Sequence, residues 1–231
     1  MGEMVKISTA DGTFAAYLAR PAAAKAPAIV VIQEIFGINA DMRKTCDDFA
    51  AQGYVAICPD LYWRQEPGVE LTDATQAEWD KAFKLYNGFD VPAGVRDIDA
   101  TIRYTRALDG AGGKVGAVGF CLGGLLAFLT AARTDADAVT VYYGVGIDQY
   151  LGEAGNIRQP LLMHIAEADE FVPRETWTRI IAALSPRSHI EIHTYPGCSH
   201  AFARNNGVHF DAASAQAAND RTAAFFRANL S

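Results

Sequence analysis

The stretch Val115-Gly116-Ala117-Val118-Gly119-Phe120-Cys121-Leu122-Gly123-Gly124, running on to Arg133, decides how this sequence folds. Val115 to Gly119 reads as a strand and Gly123 to Arg133 as a helix, so Cys121 stands on the turn between them. Gly119-x-Cys121-x-Gly123 has the spacing of a nucleophile elbow with sulfur in place of a hydroxyl. A side chain two residues to either side of so tight a turn would collide with its surroundings, and both positions are glycine. The helix N-terminus directs partial positive charge and free N–H groups at the sulfur, which favours thiolate. The N–H of Leu122 is then placed to donate to an oxyanion. A buried structural thiol is the plain alternative for Cys121; the flanking strand and helix favour the elbow.

Strand and helix alternate outward from this point. Ala28-Ile29-Val30-Val31-Ile32 is a continuous apolar run, the mark of a strand buried on both faces. Helices are predicted over 41–52, 75–87, 92–108, 173–184 and 211–229, with strands over 54–58, 138–143, 160–165 and 189–195. Upstream, 5–9 and 14–19 read as a hairpin turning at Asp11-Gly12. The alternation specifies an α/β chain: a mostly parallel central sheet with helices on both faces and an N-terminal antiparallel hairpin. No internal repeat or linker composition divides it, so residues 1–231 are read as one domain. The polar stretch 64–73, broken by Pro67 and Gly68, is either a lid or a surface loop.

An elbow of this kind calls for an acid after a later strand and a histidine after the next. Strand 160–165 runs into Glu167-Ala168-Asp169-Glu170, and strand 189–195 into Pro196-Gly197-Cys198-Ser199-His200. Asp169 is the chosen acid and His200 the base; Glu167 and Glu170 remain competitors. His200 would take the thiol proton while Asp169 fixes its tautomer. Glu34 ends the run 28–32 at a sheet edge that faces the binding crevice of such folds, where it could hold or tune the Cys121 proton. His189 and His193 are too far apart along a strand to share a metal. His164 reads as a core residue and His209 as a surface one.

Twenty Lys plus Arg stand against 27 Asp plus Glu, a net charge of −7. With no basic run, phosphate-driven nucleic-acid binding is excluded as a function class. No run of about 18 apolar residues offers a membrane span. The N-terminus lacks a signal-peptide core, and four cysteines at 46, 58, 121 and 198 show no C-x-x-C pair. A reducing cytoplasm is the expectation, with a small-molecule substrate as the partner and a monomer as the assembly.

Together these motifs resemble the dienelactone hydrolase family of α/β-hydrolases (carboxymethylenebutenolidases). The resemblance rests on Gln33-Glu34-Ile35-Phe36-Gly37, Pro59-Asp60-Leu61-Tyr62, Gly119 to Gly124, Asp169, and Tyr195-Pro196-Gly197 leading to His200-Ala201-Phe202. It implies a Cys121–His200–Asp169 triad, an oxyanion hole from the N–H groups of Leu122 and Ile35, and a resting thiol turned toward Glu34. It implies that a dienelactone is opened to maleylacetate through a thioester, without a cofactor, in the breakdown of chloroaromatics. Arg204 matches one of the arginines that the family sets around the substrate carboxylate. Trp79 stands where the family has a second, with Lys81 two residues on, and Phe83 and Tyr86 match its aromatic pair. Phe36 is counted with these substrate contacts. The loss of one arginine points toward a more apolar ester or lactone, and hence toward a broader carboxylesterase or thioesterase. A non-catalytic ligand-binding protein is the reading from another class, and redox sensing ranks below it for want of a nearby resolving cysteine.

Overall fold

The computed structural model describes residues 2–231. Its strands are β1 (Glu3–Thr9), β2 (Gly12–Ala19), β3 (Ala26–Ile32), β4 (Val55–Pro59), β5 (Ala111–Phe120), β6 (Ala138–Tyr142), β7 (Leu161–Ala166) and β8 (Ile190–Tyr195). The helices are α1 (Ala40–Ala51), α2 (Gln76–Asn87), α3 (Val91–Arg106), α4 (Leu122–Arg133), α5 (Arg174–Leu184) and α6 (Ala212–Leu230). They form one eight-stranded sheet in the order β1-β2-β4-β3-β5-β6-β7-β8. The β1–β2 and β2–β4 pairs are antiparallel, and from β4 through β8 every pair is parallel.

Strands β3, β4, β6 and β7 are buried almost throughout, as their continuous apolar runs require. The helices start where side chains can cap them: Asn39 accepts from the Met42 N–H before α1, and Asp90 from the Ala93 N–H before α3. Thr75 accepts from the Glu78 N–H before α2, while the Glu78 carboxylate takes the Thr75 hydroxyl.

After β4 the chain returns across β3 to lay down β5 on its other side. This reversal of strand order opens a crevice at the C-terminal ends of β3 and β5, the favoured ligand position in an open α/β sheet. Glu34 follows one of these strands and Cys121 the other.

Two elements depart from expectation. Strand β5 begins at Ala111, four residues earlier than read, because Ala111 pairs with Ala26 across a bulge. Its glycine-rich start gave no strand signal. A run of 3-10 turns over Ile147–Asn156, which the sequence reading missed, carries the chain from β6 toward β7. The stretch 64–73 is a fastened wall: Leu71 N–H donates to the Phe36 carbonyl, Asn39 Nδ2 to the Leu71 carbonyl, and Gly68 N–H to Asp60. No helix among the described residues is long and apolar enough to cross a membrane.

Candidate active site

The turn between β5 and α4 holds Cys121 at φ 58 and ψ −116. A non-glycine residue in that region stores roughly 1–3 kcal/mol of strain, maintained by its surroundings. Two glycines explain the tightness. A Cβ on Gly119 would lie 1.8 Å from the Gly123 carbonyl oxygen, and one on Gly123 would lie 2.4 Å from that of Ile32. The first turn of α4 is thereby pressed against the end of β3. Leu122 opens α4, so its N–H has no acceptor within the helix. Ile35 lines the same cavity from the end of β3.

His200 follows β8, and its Nδ1 stands 2.8 Å from Asp169 Oδ2; both residues are buried. Asp169 is itself fixed, since its Oδ1 accepts the N–H groups of Phe171 at 2.8 Å and Val172 at 3.2 Å. Of the three acids in this loop only Asp169 meets the histidine; Glu170 is exposed and Glu167 half-buried. The outer nitrogen, Nε2, is buried without a hydrogen-bond partner. The Cys121 sulfur lies near that nitrogen, short of a well-aligned hydrogen bond, and acts on its charge. Burial alone would push the ring down, but thiolate at Cys121 and the Asp169 carboxylate outweigh it and raise His200 from 6.5 to about 10.

The sign of the pH effect follows. A raised folded pKa makes the imidazolium's contribution to stability complete below 6.5 and lost as pH rises through about 10. Turnover that needs the imidazolium is expected to fall over the same upper range. Cys121→Ala removes the largest raising influence, so the His200 ring, followed by NMR, should titrate at lower pH in that variant. An unmoved titration would separate the two residues electrostatically.

Glu34 does not stand alone. Its Oε2 accepts from Arg204 Nε at 2.6 Å, while its Oε1 is buried with no partner. The Arg204 Nη1 reaches Asp73 Oδ2 at 2.7 Å. Arg204 therefore lines the cavity as the centre of a buried ion-pair group rather than as a free cation. Asp73 belongs to the fastened stretch, 131 residues from Arg204 in sequence, and no local motif announces the pair.

Above Cys121 lies a cavity of about 120 Å³, walled by Ile35, Trp79, Phe83, Tyr86, Val145 and Phe171, with His200 and Arg204 beside them. Trp79 stacks on Phe83 at 5.4 Å, and its indole N–H donates to the Asp73 carbonyl. Two expected contacts fall outside the lining. Lys81 turns to the surface and pairs with Glu66 at 2.6 Å, because it sits on the solvent side of α2. Phe36 lies behind the wall, edge-on to Trp79 at 5.1 Å and 4.9 Å from the Arg204 guanidinium. Val145 and Phe171 were missed. Each follows a strand or acid already singled out, and the crevice rule applied to the end of β6 would have pointed to Val145.

The other histidines have structural partners. His164 bonds Tyr195 and Thr222 in the core, and His189 faces the Ile157 carbonyl. His193 pairs with Glu191, and His209 is exposed.

The sequence profile of the dienelactone hydrolase family matches residues 14–230. The chain belongs to the dienelactone hydrolase family. A relative from Azospirillum brasilense is 52% identical over 222 residues, covering 95% of each chain. The carboxymethylenebutenolidase of Pseudomonas putida is 43% identical, covering 95% of this chain and 93% of that one. A crystal structure from Klebsiella pneumoniae matches with a TM-score of 0.87 at 27% identity, over 98% of both chains. The fold is thus the α/β-hydrolase fold of the dienelactone hydrolases, and this member is a hydrolase of ester or lactone bonds.

Proposed function

We propose that this member of the dienelactone hydrolase family opens a lactone or enol ester by a Cys121–His200–Asp169 triad. The observation that carries the reading is the strained Cys121, held under an apolar cavity beside a histidine whose far nitrogen is fixed on a buried aspartate.

The resting thiol proton goes to Glu34, whose unpartnered Oε1 is the available acceptor. The sulfur, now thiolate, pairs with His200. It attacks the carbonyl carbon, and the oxyanion takes the N–H groups of Leu122 and Ile35. Collapse breaks the C–O bond; His200 protonates the departing enolate and a thioester remains on Cys121. His200 then deprotonates water, which attacks the thioester, releases the acid and restores the sulfur. Asp169 keeps Nδ1 in place throughout.

The cavity favours the second reading of substrate range, an ester or lactone more apolar than a dienelactone. With Trp79 on α2 and Lys81 turned away, its walls are aromatic and aliphatic. Initial rates on cis- and trans-dienelactone, with p-nitrophenyl acetate alongside, test both readings. Fast dienelactone turnover that vanishes in Cys121→Ala supports the dienelactone reading. Slow dienelactone turnover with brisk, Cys121-dependent ester cleavage supports the apolar one. Ester cleavage that survives Cys121→Ala refutes the thiol mechanism.

Glu34→Gln is expected to slow turnover about tenfold or more, because the amide cannot take the thiol proton. It also leaves buried Arg204 with one anionic partner, at a cost of about 1–3 kcal/mol in urea unfolding. Unchanged kinetics remove Glu34 from the proton path whatever the stability shows.

A further inference from the structure

We propose that Asp73 is the residue that sets charge selectivity at this cavity, turning it toward substrates with no carboxylate at the Arg204 end. The inference rests on the hydrolase reading above and adds to it the charge class of the substrate.

The argument begins with guanidinium geometry. Arginine presents two edges on which a carboxylate can sit with two parallel hydrogen bonds, one formed by Nε and Nη2 and one by Nη1 and Nη2. At Arg204 each edge has already lost a donor. Nε is taken by Glu34 Oε2 at 2.6 Å and Nη1 by Asp73 Oδ2 at 2.7 Å. A substrate carboxylate could bind in bidentate fashion only by displacing one of them.

Charge points the same way. Two carboxylates around one guanidinium leave the group with a net negative charge. Asp41 adds a third carboxylate within its field: burial raises the Asp41 pKa, and the charge of Glu34 and, more weakly, of Asp73 adds to the rise. The Arg204 and Glu34 side chains are only 5% and 3% exposed and that of Asp73 11%, so salt screens these charges poorly. Arg204 is the one lysine or arginine in the cavity wall. Asp73 is also tied to the apolar wall, since its carbonyl accepts the Trp79 indole N–H at 3.1 Å. One residue thus balances the cation and seats the aromatic ring.

The test compares two esters of equal chain length. p-Nitrophenyl pentanoate ends in a methyl group, and mono-p-nitrophenyl glutarate ends in a carboxylate. The wild-type chain should prefer the pentanoate. Asp73→Asn should raise the glutarate-to-pentanoate ratio of kcat/KM about tenfold, mainly through the glutarate KM. Asp73→Glu keeps the charge and should keep the wild-type ratio, which a purely structural role for Asp73 would not require. An unchanged ratio in Asp73→Asn, or a wild-type preference for the glutarate, overturns the inference while leaving the hydrolase reading intact. Turnover of neither ester, or turnover that persists in Cys121→Ala, overturns the hydrolase reading and this inference with it. Should Asp73→Asn fail to fold, the wild type decides. Free pentanoate should inhibit about tenfold more weakly than pentanamide, and equal or stronger inhibition overturns the proposal.

Discussion

Cys121→Ser is expected to lose about a thousandfold in kcat on any ester that the wild type cleaves, and Cys121→Ala at least as much. Serine keeps the elbow, the Leu122 N–H and the His200–Asp169 hydrogen bond. It loses the one property for which the surroundings are arranged. The helix N-terminus and a histidine raised to about 10 are placed to stabilise the thiolate once the proton has left. A hydroxyl is far harder to ionise and must be deprotonated during attack, and its shorter bond to Cβ carries the oxygen less far into the cavity. A stopped assay with p-nitrophenyl acetate and a thiol titration of both variants checks this. Serine activity close to wild type would overturn the thiolate argument and recast the site as an ordinary hydroxyl hydrolase.

The second large effect concerns folding. Gly119→Ala places a methyl group 1.8 Å from the backbone oxygen of Gly123, and no rotamer can relieve a clash with main chain. Either α4 moves off β5 or the elbow unwinds, at an expected cost of about 3 kcal/mol or more. Gly152→Ala is the matched control, since nothing lies within 4 Å of its added Cβ, and it should shift stability by less than about 0.5 kcal/mol. Urea midpoints measured on both separate the close approach from the general effect of losing a glycine. A Gly119→Ala chain that unfolds with the wild type would show that the elbow can relax.

These two expectations differ in how early they could be seen. Gly119, Cys121 and Gly123 lie within five residues, and steric and electrostatic rules act over that range, so the elbow was legible as sequence. Asp169 and His200 were legible because each follows a strand that the sequence marks, and strand order fixes where strand ends lie. The apolar run of β3 and the hairpin at Asp11-Gly12 were legible for the same local reasons. Asp73 was not. Its bond to Arg204 depends on how the 64–73 stretch is fastened against residues 36–39, a tertiary fact with no periodicity behind it. Lys81 misled because neighbouring positions on a helix face different directions, and the α2 face toward the cavity carries Trp79, Phe83 and Tyr86 instead. The 3-10 run after β6 has apolar residues at helical spacing, Ile147, Tyr150, Leu151 and Ala154, but Gly146, Gly152 and Gly155 interrupt it and read as loop.

The strand order has one more consequence, for the chain as it is made. Ala28 of β3 pairs with Val115 of β5, and the strands carrying the acid and the histidine are the last two laid down. On the proposed mechanism, a nascent chain emerging from the ribosome therefore carries the cysteine nucleophile first and acquires the histidine only after β8 docks. Until that final third is in place the sulfur has Glu34 ahead of it in the chain but neither the histidine nor the acid of the proposed triad. With the triad as proposed, hydrolytic power arrives as a late property of the whole sheet, and fragments released early carry the cysteine without the chemistry.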